Sequence, residues 1–113
     1  MTDSDTFDFR MLDVEELRAI HDAMCGKPKN EICAIFSKEC HDMLAAHGGK
    51  LVFFRDMGTD IYFERFKPDD LREASMMFRT LAKQFKNAKK ETAQKFCEMV
   101  ILRCRGGLEA RHQ

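Results

Sequence analysis

The first part of the chain changes from the hydrophobic period of a strand to that of a helix. Apolar and charged residues alternate over residues 6–11, which predicts a short strand with one buried face. Asp13 should begin a helix, because Glu16 stands three residues later and completes a capping box. Gly26 is a suitable end for this helix. Its apolar stripe consists of Leu17, Ile20 and Met24.

A second helix is predicted from about residue 29 to residue 46, before the pair Gly48 and Gly49. The clearest strand pattern follows it. A continuous apolar run at 51–54 and a largely aromatic segment at 61–66 flank a turn-rich segment, so we expect an antiparallel hairpin at about 51–66. The hairpin has apolar residues on both faces, and an isolated hairpin is marginal in water. It should therefore be covered by helices, extended by the strand at 6–11, or paired with a second copy of the chain.

The stretch after Pro68 contains no glycine or proline until Gly106 and has a helical apolar pattern. It fits one long helix over 69–105, or two helices with a break at residues 87–90. A single unbroken helix would be too long for this chain to cover and would imply a dimer. The pattern predicts that the inner face of the first part comprises Leu71, Ala74, Phe78, Leu81 and Phe85.

These elements predict an α+β fold in which a small antiparallel sheet is packed by about four helices. The 113 residues correspond to one domain, which we expect over 6–105, with flexible ends at 1–5 and 106–113. Ten Phe and eight Met supply a core and exclude general disorder. The five cysteines form no C-x-x-C pair, and no apolar run approaches the about 20 residues of a membrane helix. We therefore expect a cytoplasmic protein with free, buried thiols.

The net charge of zero is a cancellation between two oppositely charged ends. Residues 1–22 contain seven acidic and two basic residues, and residues 79–111 contain nine basic and three acidic residues. Five bases at helical spacing form what we call the basic stripe, a surface suited to phosphate groups or to an acidic partner. It could equally be a solvated helix face, or it could bind the acidic N-terminal region of its own chain. The members of the basic stripe are Arg72, Arg79, Lys83, Lys86 and Lys90.

Metal binding and catalysis have weaker support in the sequence. His21 and Cys25 are four residues apart on a predicted helix, and three further ligand types follow at Cys33, Cys40 and His41. The spacings typical of zinc sites are absent, and no sequence signature brings a cysteine next to a histidine for nucleophilic catalysis. No glycine-rich phosphate loop is present either. We expect no enzyme, no cofactor, no metal and no small-molecule substrate.

The sequence therefore favours a small regulatory or adaptor protein that acts through protein contacts, as a homodimer and with another protein. We expect the interface on the hairpin and the third helix. The alternative is a nucleic-acid-binding, transcriptional regulator that uses the basic stripe. No membrane partner is expected. The predicted interface residues of the hairpin are Phe53, Phe54, Ile61, Phe63 and Phe66.

Overall fold

The computed structural model describes residues 5–7, 11–48, 59–61 and 63–111. Within these ranges the chain is dominated by helices. Two three-residue strands, β1 and β2, pair antiparallel with Thr6 opposite Asp60. The elements are β1 (Asp5–Phe7), α1 (Val14–Met24), α2 (Glu31–Gly48), β2 (Thr59–Ile61), α3 (Pro68–Asn87) and α4 (Glu91–Arg111).

The predicted α+β class is wrong, because the described residues form a four-helix protein. The second half of the predicted hairpin leaves the strand conformation after β2. Phe63–Arg65 form a 3₁₀ helix that leads into α3, and the Phe63 side chain is buried among helices. An apolar run of this length can be buried equally well by a helical turn. The predicted first hairpin strand, at 51–54, lies outside the described residues, as do residues 8–10 of the predicted strand at 6–11.

The capping box at the start of α1 is confirmed. The Asp13 carboxylate accepts a hydrogen bond from the Glu16 backbone N–H at 2.7 Å, and the Glu16 carboxylate accepts one from the Asp13 N–H at 2.8 Å. Two backbone donors at the helix start are satisfied in this way. The predicted apolar stripe of α1 is also confirmed, since Leu17, Ile20 and Met24 are all fully buried.

Asn30 joins the start of α2 to the start of α3. Its side-chain oxygen accepts from the backbone N–H groups of Ile32 and Cys33 at 3.0 and 3.1 Å, which caps α2. Its amide nitrogen donates to the Asp70 carbonyl and to a Glu73 carboxylate oxygen, both at 3.0 Å. The residue is buried, and all these groups are paired. The two helices therefore begin side by side.

Residues 68–111 form two helices, so the long unbroken helix that would have implied a dimer does not form. The turn between them follows the Schellman pattern. Lys90 N–H donates to the Phe85 carbonyl at 2.8 Å, and Lys89 N–H donates to the Lys86 carbonyl at 3.0 Å. Lys89 has a φ of 61°, the left-handed conformation that usually requires glycine at this position.

The core lies where α2, α3 and α4 meet around Phe36. Its ring makes edge contacts with Phe78 on α3, at a centroid distance of 4.9 Å, and with Phe96 on α4, at 6.2 Å. Helix α1 packs against α2, and α3 packs against α4. A short connection joins the two helices of each pair. Later positions of α2 contact later positions of α3, since Asn30 contacts Asp70 and Phe36 contacts Phe78. The predicted inner face of α3 is confirmed as buried at Leu71, Ala74, Phe78, Leu81 and Phe85.

Helix α4 continues through residues that we expected to lie in a flexible tail, and it ends at Arg111. Gly107 explains why the helix packs closely here. A Cβ atom at this position would lie 2.9 Å from the Phe63 carbonyl oxygen, whereas a Cβ atom at Gly106 would meet nothing within 4 Å. Glycine is therefore required at position 107 but not at position 106.

We expect alanine to have opposite effects at these two glycines. Gly107→Ala should lower the free energy of unfolding by about 1–3 kcal/mol, because the added methyl group meets backbone atoms that cannot rotate away. Gly106→Ala should raise it by about 0.5–1 kcal/mol, through the better helix propensity of alanine. Urea unfolding of both variants measures the two changes. Equal effects at the two sites would contradict the close approach of Phe63 to α4.

Glycine should stabilise the turn between α3 and α4. Lys89→Gly removes the strain of a left-handed backbone at a residue with a Cβ atom, but it also increases the conformational entropy of the unfolded chain. We expect the free energy of unfolding to rise by about 0.5–1 kcal/mol as the net result. Lys86→Gly, one turn earlier in helical conformation, is the control and should destabilise by about 1 kcal/mol. Thermal unfolding followed by circular dichroism reports both. A loss of stability in both variants would show that Lys89 is not strained.

Candidate binding face on helix α3

The basic stripe is exposed along almost its whole length on α3. Arg72, Arg79, Lys83 and Lys86 are spaced by 7, 4 and 3 residues, so they lie on one side of the helix, opposite the buried face. Lys90, the last member, follows α3 in the turn before α4 and is only partly exposed. The structure therefore brings four members of the stripe onto one helix face and places the fifth at its end.

The middle of the stripe carries unpaired positive charge. Arg72 forms an ion pair with Asp69 at 2.9 Å, one helical turn earlier, with both side chains largely in solvent. An exposed pair of this kind contributes little stability. Arg79, Lys83 and Lys86 form no ion pair with any residue in the described ranges. Three cations over two turns of helix are thus available to a partner.

Met76 adds an apolar centre to this basic face. It is 66% exposed and stands three residues before Arg79 and seven before Lys83, so it points to the same side of α3. Single exposed apolar side chains are common at protein surfaces, and Met11, Met99 and Leu102 are exposed as well. Met76 differs from them in that it lies among the cations of the basic stripe. We define the α3 face as Met76 with Arg79, Lys83 and Lys86. Its composition is that of an interface in which charges surround an apolar anchor.

Lys90 is held by the acidic start of α1. Its ammonium group lies 2.9 Å from a Glu15 carboxylate oxygen and 3.1 Å from an Asp13 oxygen. The hydrogen bonds to Glu15 and Asp13 raise the pKa of Lys90 to about 12. The pKa of Asp13 is lowered, first by the backbone N–H of Glu16 and also by Lys90. In the described part of the chain, the acidic residues of α1 therefore reach the end of the basic stripe and leave the α3 face open.

Two of the five predicted interface residues of the hairpin, Phe63 and Phe66, pack inward. Phe63 is 2% exposed and Phe66 is partly buried, with their rings 6.5 Å apart. Both side chains pack against the helical core. Ile61 lies in β2, and Phe53 and Phe54 fall outside the described residues. The two residues whose side chains can be assessed thus serve the core.

The residues considered as candidate metal ligands are divided between a surface groove and the core. His21, Cys25 and His41 line a shallow groove of about 320 Å³ between α1 and α2, with the two imidazole centroids 6.0 Å apart. Cys33 and Cys40 point into the core instead. Across the described residues, no three His, Cys, Asp or Glu side chains are placed to hold a metal together. Cys25 is exposed, contrary to the expectation that all the thiols are buried.

Comparisons with known proteins assign no family to this chain. It matches no family model, no curated protein and no solved structure. None of the helices in the described ranges has the length and apolar character needed to cross a membrane. Functional inference therefore rests on the geometry of the side chains.

The cations of the α3 face were expected from the sequence. Two other residues were not: the exposed Met76 and Asn30, which caps α2 and contacts α3. Met76 was overlooked because the inner stripe of α3 already accounted for the large apolar residues. Its offset from that stripe, five residues after Leu71 and two before Phe78, is the signal that could have revealed it. Asn30 was also missed, although asparagine directly before a helix is typical of a cap.

The contact between Lys90 and the start of α1 should be measurable as an energetic coupling. Lys90→Gln should destabilise the protein more than Lys86→Gln, because Lys86 has no such partner. A double-mutant cycle of Lys90→Gln with Glu15→Gln should give a favourable coupling that shrinks in high salt. Because the folded pKa of Asp13 lies below 3.8, its share is present above that pH and is lost as the pH falls through the lowered value. Zero coupling at low salt would contradict the contact.

Proposed function

We propose that this protein is a non-enzymatic adaptor that binds an acidic, partly apolar segment of another protein through the α3 face. The observation that carries the proposal is the group of three cations around the exposed Met76, none of which pairs with an acidic residue in the described ranges. Interfaces are built from an apolar anchor surrounded by polar groups, and complementary charge sets orientation and association rate. Binding of this kind is sufficient for a regulatory or adaptor role, which requires no catalytic group.

Met76 favours a protein partner over nucleic acid. Binding to phosphate groups depends on cations and counterion release, and an apolar side chain in the middle of the contact contributes nothing to that effect. The chain also has zero net charge and a pI of about 6.9, whereas nucleic-acid-binding domains are commonly basic overall. A nucleic-acid-binding regulator is the alternative and is tested in the same experiment.

The charge of the α3 face also favours a partner other than a second copy of this face. Two such faces brought together would place Arg79, Lys83 and Lys86 against the same three cations, which costs binding energy. The acidic residues of α1 are better matched in sign, but Asp13 and Glu15 already contact Lys90. We therefore propose a heterotypic complex.

We propose the cytoplasm as the site of action. All five cysteines are free thiols, and four of them lie in the core. Free thiols persist where the surroundings are reducing, and proteins in oxidising compartments more commonly contain disulfides. An adaptor that acts on cytoplasmic partners would meet this condition.

The test compares four fluorescent probes by anisotropy. They are a twelve-residue peptide of glutamate and leucine, a glutamate and serine peptide of equal charge, a short duplex DNA and a single-stranded RNA. We expect the leucine-containing peptide to bind best. Lys83→Glu should weaken its binding by about tenfold or more through loss and reversal of a complementary charge. Lys95→Glu on α4, with the same change in net charge, is the matched control and should have little effect.

A second pair of variants tests the apolar centre. Met76→Ser should abolish the preference for the leucine peptide over the serine peptide, whereas Met99→Ser, at an exposed methionine on α4, should preserve it. Tighter binding of DNA or RNA, with a steep salt dependence lost in Lys83→Glu, would support the nucleic-acid alternative. Equal weak binding of all four probes, unaffected by Lys83→Glu, would contradict a binding role for the α3 face.

A further inference from the structure

Helix α4 has exposed apolar side chains near its middle, on the side away from the core. Leu102 is 59% exposed, and Met99, one turn earlier, is 45% exposed. Each residue advances about 100° around a helix, so Leu102 lies almost opposite Val100 and Cys104, which are both fully buried. We call this exposed side, centred on Leu102, the α4 face. It shares no residue with the α3 face, so its role is separate from the one proposed above.

Charged residues are arranged around Leu102 in pairs of opposite sign. Lys95 stands seven residues before Leu102, and Glu109 stands seven residues after it. Glu98 precedes Leu102 by four residues, and Arg105 follows it by three. These spacings correspond to one or two helical turns, so all four charges flank Leu102 on the exposed side of α4. Each charge before Leu102 is thus matched by the opposite charge at about the same distance after it.

These four charges have only weak partners within the described part of the chain. The Lys95 ammonium group lies 4.0 Å from a carboxylate oxygen one turn earlier, with both side chains exposed. Glu98 accepts one hydrogen bond from the Gln94 amide at 2.9 Å. Arg105 and Glu109 form no ion pair with any residue in the described ranges. Exposed pairs within a helix contribute little stability, so all four charges can pair across an interface.

We propose that the α4 face binds the α4 face of a second copy of this chain, with the two helices antiparallel and a two-fold axis at Leu102. The two leucines then form the apolar centre of the contact. Lys95 of each copy lies opposite Glu109 of the other, and Glu98 lies opposite Arg105. The two-fold axis repeats every contact, so each ion pair occurs twice. In a parallel arrangement each charge would face its own like charge, so charge complementarity selects the antiparallel one.

The same register places Met99 against Gly106 of the second copy. Met99 lies three residues before the axis and Gly106 four residues after it, both on the flank of the α4 face away from Glu98. The surface above Gly106 is open, because a Cβ atom there would meet nothing within 4 Å. The Met99 side chain of the other copy can fill this space. The apolar contact therefore extends from the two leucines to this flank.

The contact area is small, so the dimer should be weak. Helix α4 has 21 residues and is therefore about 30 Å long. A single pair of helices of this length, with two exposed apolar side chains on each, falls below the about 1,200 Å² at which stable interfaces begin. We therefore expect a dissociation constant above about 1 μM. Association should weaken further in high salt, because its ion pairs lie at the edge of the contact.

The test of self-association is sedimentation equilibrium of the full chain from about 10 μM to about 1 mM. Lys95→Glu and Glu109→Lys should each weaken association about tenfold or more, because like charges then face each other at both ends of the contact. An equimolar mixture of the two variants should associate as well as the unaltered chain does. Residues 95 and 109 are about 21 Å apart along one helix, so recovery in the mixture requires contact between copies.

The matched control is Lys83→Glu on the α3 face, which changes the net charge as Lys95→Glu does and should leave self-association unchanged. The same variant is the one expected to weaken peptide binding to the α3 face. The proposal for the α4 face and the proposed function can therefore fail separately. Circular dichroism establishes that each variant is folded.

Cross-linking with diamide tests the orientation of the two helices. Leu102→Cys in a Cys25→Ser background should form a disulfide-linked dimer, because the two-fold axis brings the two copies of residue 102 together. Thr92→Cys in the same background should not, since the antiparallel alignment holds the two copies of residue 92 about 30 Å apart. Equal cross-linking at the two positions would overturn the proposal.

Three results from sedimentation would overturn it as well. The first is no association of the unaltered chain up to about 1 mM. The second is equal association of Lys95→Glu and Lys83→Glu, and the third is no recovery in the mixture of Lys95→Glu with Glu109→Lys.

Discussion

The packing of α2 against the α3–α4 pair depends on the aromatic contacts of Phe36. Its ring reaches Phe78 on one helix and Phe96 on the other, so it joins the two halves of the protein. Apolar contact has little directionality and would tolerate some sliding of α2 along α3. Asn30 limits that freedom. Its side-chain oxygen is fixed by the cap of α2, and its amide nitrogen donates to Asp70 and Glu73 on α3, so these bonds hold the two helices in one register. Apolar burial holds the helices together, and one polar side chain fixes their alignment.

This arrangement explains why one side of α3 is exposed in the described part of the chain. The inner side of α3 packs in the core, and its first turn contacts Asn30. The acidic start of α1 could have covered the cations of the outer side, but the positions of Asp13 and Glu15 direct both carboxylates to Lys90. The capping box restricts Asp13 further, since the same carboxylate accepts from the Glu16 backbone. Among the residues that the structure describes, no acidic side chain pairs with Arg79, Lys83 or Lys86, because Asp13 and Glu15 contact Lys90 instead.

Local patterns in the sequence were sufficient for part of this structure. The capping box of Asp13 and the buried stripe of α3 each depend on spacing within one helix, and both are confirmed. The α+β class was wrong, in part because the apolar residues around Phe63 fit a helical turn as well as a strand, and burial against α4 decides between them. The cations of the α3 face were visible in the sequence, but which of them are paired was not. The hydrogen bonds from Asn30 to Asp70 and Glu73 join residues forty or more positions apart, and no local pattern encodes such contacts.

The tight turn after Ala88 has a consequence for the order in which the protein folds. Helices α3 and α4 adjoin along the chain, so their contacts close only a short loop and cost little chain entropy. Contacts between α2 and α4 close a far longer loop and must follow later if entropy sets the order. Helices α3 and α4 would then pack against each other before α1 and α2 pack against them. During synthesis on the ribosome α1 and α2 emerge first. They can pack against α3 and α4 only after those two helices have been synthesised.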